Sequence, residues 1–194
     1  MQRLGHRIHQ RTLIAAILTA ASLLTGCASR GQVQLTSFKD PYFPENQRIA
    51  FDECVFRKDG GGDFLVVGYL GAWQPPGMDQ PVEQWLEIRT FWQPKPGKTR
   101  DDPSGTTATL RLVLADENGC VVYTGAGFVF PSTIRFSRRM EFSIEGARLS
   151  PDSTSGSTTE LLGEIRLQGK ITADPDDHRA IDLSRQVDLL TRPR

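Results

Sequence analysis

Residues 161–171 alternate between two kinds of side chain at every second position, and this alternation limits the folds that the chain can adopt. Odd-numbered positions carry leucine, isoleucine or glycine, whereas polar residues such as Glu164, Arg166 and Gln168 occupy most even-numbered positions. Successive side chains of a β-strand point to opposite faces of a sheet. The segment is therefore predicted to be a strand with one face in the core, and its glycines are expected at a bend or a close approach.

A hairpin is predicted between residues 109 and 125, because two β-rich runs flank the turn sequence Asp116-Glu117-Asn118-Gly119. The loop contains either all four of these residues or only Asn118 and Gly119. Odd-numbered residues pair with even-numbered residues in both registers. In both registers, one predicted core face therefore carries Leu110, Leu112, Leu114, Val121 and Tyr123.

Strand-like runs separated by turn residues recur along most of the chain. Further candidate strands span residues 33–38, 48–56, 64–71, 82–92 and 134–144. About eight strands are typical of an antiparallel sandwich of two packed sheets, so the fold class is predicted to be mainly β. The serine- and threonine-rich stretch 150–159 is expected to be a mobile connection.

Residues 174–194 carry a helix start signal. Asp174-Pro175-Asp176-Asp177 offers an N-cap, a first-turn proline and two acids that the helix dipole favours. One helical stripe would contain Ala180, Leu183, Val187 and Leu190, whereas a strand would align Ile181, Leu183, Val187 and Leu189. The start signal favours a short C-terminal helix over the strand.

The chain begins with a charged segment and a short apolar run. Arg3, Arg7 and Arg11 precede the run at residues 13–24, and no acid accompanies them. This order is typical of an export signal. Twelve helical residues reach about 18 Å, short of the roughly 30 Å of hydrocarbon in a bilayer, so the run is not expected to span a membrane.

The apolar run ends in Leu24-Thr25-Gly26-Cys27, which resembles the lipobox of bacterial lipoproteins. The resemblance implies that residues 1–26 are a cleaved signal peptide and that acylated Cys27 anchors the chain on the periplasmic side of the envelope. Several acyl chains make desorption negligible, whereas one alone binds a membrane only marginally. Ala28, where some lipoproteins have aspartate, is similar to lipoproteins passed on to the outer membrane. The alternative is an ordinary secretory peptide with an incidental cysteine.

Residues 27–31 then form a lipidated tether, and residues 32–194 are expected to form a single domain. Removal of three arginines from 23 basic residues leaves 20 against 23 acidic residues, a net charge of −3 with histidine neutral. Nucleic acid is not an expected partner, because its binding usually requires a basic face.

Cys54 and Cys120 remain in a chain that is exported to an oxidising compartment, so they are predicted to form a disulfide. Closing this loop would stabilise the fold by about 4 kcal/mol in the chain-entropy model. Two buried thiols are the alternative.

Few residues of the predicted mature chain suggest catalysis or metal binding. His178 is its single histidine, and neither it nor the two cysteines show the spacing of a zinc site. No metal and no cofactor are therefore expected. Loop carboxylates at Asp101-Asp102 and Asp116-Glu117 leave open an enzyme that hydrolyses envelope glycans or esters.

Trp73, Trp85 and Trp92 are candidate contacts with a protein partner or a glycan, because exposed tryptophans often anchor such ligands. The alternative for Trp85 is burial under an adjacent loop. Together these features favour a non-enzymatic, membrane-anchored envelope lipoprotein that binds a partner or an envelope polymer. A structural subunit of an envelope assembly and the hydrolase are the two alternatives.

Overall fold

The computed structural model describes residues 31–42, 44–74, 81–91, 106–156 and 162–192, and these contain nine strands and one helix. The mainly β class is confirmed. The elements are β1 Gly31–Ser37, β2 Glu45–Ala50, β3 Glu53–Lys58, β4 Phe64–Trp73, β5 Val82–Thr90, β6 Ala108–Asp116, β7 Gly119–Thr133, β8 Met140–Gly156, β9 Ile165–Pro175 and α1 Asp177–Leu190.

All nine strands belong to one sheet in the order β2-β1-β9-β3-β4-β5-β6-β7-β8, and a further pairing between β9 and β8 closes it. β9 pairs with β8 along one edge and with β1 along the other. At its end β9 pairs in parallel with β3, through Val55 and Asp174. Hydrogen bonding therefore gives one closed sheet, and the predicted division into two sheets is not confirmed.

The main core fills the inside of this closed sheet. The β6–β7 hairpin pairs Asp116 with Gly119, so the register that follows from a four-residue loop is correct. The predicted core face of this hairpin is confirmed, and Leu112 and Tyr123 are fully buried within it. The predicted face of β9 also enters this core, through Ile165, Leu167 and Ile171. Three phenylalanines, Phe56, Phe64 and Phe142, pack edge to face with centroid distances of 5.5–5.9 Å.

The strand predicted at residues 134–144 begins only at Met140, because residues 134–139 form the turn between β7 and β8. Two further predicted segments also have different boundaries in the structure. Residues 48–56 form parts of two strands, because the chain crosses at Phe51 and Asp52 from pairing with β1 to pairing with β9. The predicted mobile connection at 150–159 is wrong as far as Gly156, since β8 continues that far along the 15-residue β7. In both cases a distant strand supplies the hydrogen bonds.

The C-terminal helix is confirmed, but it begins later than the start signal indicates. Its N-cap is Asp176, whose side chain accepts the N–H of Arg179. The helix begins later because β9 extends to Pro175. Ala180, Leu183 and Val187 are buried, as the helical stripe predicts. Among the described residues, no helix has the length and apolar character needed to cross a membrane.

The predicted disulfide is wrong, because Cys54 and Cys120 are not bonded to each other. Cys54 belongs to the main core inside the closed sheet. Cys120 belongs to a second apolar cluster on the outer face, together with Val113 and Val122. The two thiols therefore lie on opposite faces of the sheet, and both are buried.

Candidate functional site

Helix α1 packs on the outer face of the sheet, and this contact encloses a buried polar site that contains Glu87 and Ser184. Val187 contacts the outer-face cluster that contains Trp85 and Val113. Nearer the start of the helix, Ala180 and Leu183 pack against outward-facing residues of β3 and β4. Alternate residues of these strands therefore form a second, smaller core outside the sheet.

Glu87 lies between the sheet and the helix with its side chain only 4% exposed, at the centre of a charged cluster. Its Oε1 accepts the Nε–H of Arg89 at 2.7 Å, and its Oε2 accepts the hydroxyl of Ser184 at 2.7 Å. Arg111 Nη2 lies 3.2 Å from both carboxylate oxygens and donates to Asp188 Oδ1 at 2.7 Å. The carboxylate thus binds donors from β5, β6 and α1 and ties the helix to the sheet.

The environment of Arg111 favours its charged form. Burial opposes the charge, but the hydrogen bond to Asp188 and the negative charge of Glu87 outweigh it and raise the pKa of the Arg111 guanidinium. Glu87 therefore faces a permanently charged arginine. A carboxylate already engaged by three side chains is poorly suited to act as a general base, because proton transfer would first require these contacts to break.

A second ion pair ties the first turn of α1 to β3. Arg179 donates from Nε and Nη2 to the two carboxylate oxygens of Glu53, at 2.8 and 2.6 Å. The hydrogen bond to Glu53 raises the pKa of the Arg179 guanidinium even though partial burial acts against it. Two-pronged contacts of this kind fix orientation as well as charge.

Two open grooves border this face. The larger, about 610 Å³, lies over the charged cluster and includes Thr109 and Thr124 in its walls. The smaller, about 270 Å³, lies at the β6–β7 turn. There Asp116 Oδ1 accepts the N–H groups of Asn118 and Gly119, so this predicted loop carboxylate shapes the turn.

Two of the three predicted tryptophan contacts are buried. Trp73 lies in the main core, and Trp85 is 3% exposed in the outer-face cluster beneath the helix. The alternative of burial is therefore correct for Trp85, although a helix and not a loop covers it. Trp92, Asp101, Asp102 and Cys27 lie outside the described residues. His178 is exposed, and no group of metal-binding side chains occurs in the described ranges.

The turn between β7 and β8 carries exposed basic and aromatic side chains. Phe136 is 95% exposed and has a φ of +62°, a left-handed conformation that is uncommon for a bulky residue. Arg135 lies over its ring, 4.7 Å from the centroid. Arg138 and Arg139 follow, and Arg139 donates to Asp174 at 2.7 Å. We refer to residues 134–139 as the basic tip.

Sequence reasoning did not identify the Glu87 cluster as a unit. Alternation along a strand puts Glu83, Glu87 and Arg89 on one face of β5, but Glu83 is exposed whereas Glu87 is buried. The difference arises because Ser184 approaches Glu87 from 97 residues further along the chain, and Asp188 approaches Arg111 from 77 residues further along. No local pattern signals that approach.

Comparison with known proteins gives no relative from which a role could be transferred. No protein-family model matches the chain, and neither a curated protein nor a solved structure matches it.

Proposed function

We propose that this chain is a lipid-anchored protein of the bacterial envelope with a binding or structural role and no catalytic one. The observation that carries the proposal is the sequence Leu24-Thr25-Gly26-Cys27 after a basic segment and a twelve-residue apolar run. Acylation of Cys27 would hold the mature chain on the periplasmic side of a membrane. Ala28 favours the outer membrane.

The geometry of the folded domain is compatible with a short tether. β1 begins at Gly31, four residues after Cys27, and four extended residues reach at most about 14 Å. An acylated Cys27 would therefore keep the domain against the bilayer. Such a position suits a protein that binds an envelope partner or polymer, or that forms part of an envelope assembly.

The charged cluster supports a structural role for the residues that most resemble an active site. Glu87 is engaged by Arg89, Arg111 and Ser184. The contacts of Glu87 join strands to the helix, so stabilising the fold is a sufficient role for this carboxylate. A hydrolase that used Asp116 would have to release the turn that its side chain holds.

The anchor is tested by expressing the full chain with Cys27→Ser and, as a matched control, Cys120→Ser. We expect the parent and the control to incorporate labelled palmitate and to partition into detergent, and we expect Cys27→Ser to do neither. An unacylated parent with an intact leader would refute the anchor. Turnover of an envelope ester or glycan by purified mature protein, abolished by one side-chain change, would refute the non-enzymatic role.

A further inference from the structure

The basic tip combines an exposed aromatic ring with uncompensated positive charge. Residues 131–140 contain Arg135, Arg138 and Arg139 and no acidic residue. Arg139 is paired with Asp174, whereas Arg135 and Arg138 form no ion pair with any described carboxylate. Phe136 lies between them in sequence, has the Arg135 guanidinium over its ring, and is 95% exposed. Isolated exposed rings flanked by arginines suit the boundary between water and lipid, where the ring enters the acyl region and the charges remain among the headgroups.

Strand pairing shows which end of the sheet carries the tip. Ile171 of β9 pairs with Gly31 on one side and with Phe142 on the other. Gly31 is therefore level with Phe142. β8 begins at Met140, two residues before Phe142, which is an offset of about 7 Å along the strand. The turn that joins β7 to β8 lies beyond Met140. β1 thus starts near the end that bears the tip and runs away from it.

The opposite end of the sheet also carries a strongly exposed aromatic side chain. β1 ends at Ser37, about 20 Å from Gly31 along the strand, and the turn to β2 follows. Tyr42 lies in that turn and is 87% exposed. Lys39 and Asp40 give this turn charges of both signs. A tether of at most about 14 Å between Cys27 and Gly31 can bring the basic tip to a bilayer far more readily than it can bring Tyr42.

We propose that the basic tip is a second membrane contact, with Phe136 inserted at the interface and Arg135 and Arg138 bound to anionic phospholipid headgroups. This inference rests on the proposed lipid anchor, because the anchor brings this end of the sheet to the bilayer. Charge complementarity identifies the lipid class: arginines near an anionic surface are attracted to it, and zwitterionic lipid offers no such net attraction. The contact orients the domain, with the Tyr42 turn directed away from the membrane.

The test uses purified acylated protein in vesicles of phosphatidylethanolamine and phosphatidylglycerol that contain brominated lipid. Phe136→Trp adds a fluorophore at the tip, and Tyr42→Trp adds a matched one at the opposite end. Trp73, Trp85 and Trp92 are common to both variants and to the parent, so the added emission is obtained by difference. We expect brominated lipid to quench the emission added by Phe136→Trp and to leave that added by Tyr42→Trp unchanged. Equal quenching in the two variants, or none at the tip, would overturn the inference.

The charge contribution is tested by adding Arg135→Gln and Arg138→Gln to the Phe136→Trp variant. Two charges at about 1 kcal/mol each predict a contact with the anionic surface that is weaker by about thirtyfold. Omitting phosphatidylglycerol or raising the salt concentration is expected to reduce quenching in the same way. Quenching that is independent of both arginines and of anionic lipid would refute the assignment to anionic headgroups.

Two further outcomes separate this inference from the proposed anchor and from a protein contact. If mass spectrometry shows that Cys27 is not acylated, the anchor is wrong. Binding of the same chain to phosphatidylglycerol vesicles then decides the tip separately: quenching of Phe136→Trp supports the contact, and its absence refutes it. A photocrosslinker at Phe136 that captures one protein in intact cells, with no quenching in vesicles, would replace the lipid contact with a protein contact.

Discussion

Substitution of Glu87 by glutamine is predicted to weaken the contact between α1 and the sheet. The change keeps the shape of the side chain but removes its charge and presents an amide to the surrounding N–H donors. Glu87 binds Arg111 and Ser184 in a partly or fully buried setting, whereas Arg89 is 53% exposed. The bond to Arg89 therefore contributes little, because solvent screens it.

The expected loss of stability follows from the contacts of Glu87 with Arg111 and Ser184. A hydrogen bond to a charged group contributes about 1.5–3 kcal/mol net, and removal of one partner from a buried pair costs about 3–5 kcal/mol. Arg111 keeps its bond to Asp188, which reduces the cost. We therefore expect the free energy of unfolding to fall by about 2–3 kcal/mol. For a domain of this size that corresponds to a melting temperature lower by about 4–12 °C.

Thermal and urea unfolding of the purified mature protein, followed by circular dichroism, would measure this loss. Glu83→Gln is the matched control, since Glu83 lies on the same face of β5 but is exposed, and we expect a change within about 0.5 kcal/mol. A loss for Glu87→Gln no larger than that of the control would show that the cluster does not hold the helix.

Three further outcomes are expected. Gln84 is fully buried and its amide N and O have no partner among the described residues, so Gln84→Leu should raise the free energy of unfolding, measured in urea, by about 1 kcal/mol; a clear decrease would contradict this. Burial, followed by the charge of Glu83, raises the pKa of Tyr69 above 10.0. The resulting stabilisation is present below pH 10 and lost as the pH rises through the raised pKa, so the unfolding free energy of Tyr69→Phe should decline less than that of the parent in alkaline titrations. Reducing agent should leave the melting temperature unchanged, because Cys54 and Cys120 are not bonded to each other; a lower melting temperature would indicate a disulfide.

Alternation along a strand assigns each residue to one face of the sheet, and this rule could have placed Cys120 from the sequence. The β6–β7 hairpin predicts that Val121 and Tyr123 face the core, and this places Cys120 on the opposite face. Cys54 lies in the main core, so the disulfide conflicts with the alternation of the predicted hairpin as soon as the face of Cys54 is known. Trp85 has charged neighbours in sequence, but the helix that covers it lies about one hundred residues later.

The sequence by itself determined the elements whose causes are local: the alternation in β9, the position of the β6–β7 turn with the core face of its two strands, and the apolar stripe of α1. Each depends on residues within a few positions of one another, through side-chain direction and turn conformation. Tertiary structure alone decided that β9 joins β8 to β1 and β3, that β8 extends to Gly156, and that Glu87 meets Ser184. These features depend on hydrogen bonds and ion pairs between segments far apart in the chain, and such contacts exist only once the closed sheet has formed.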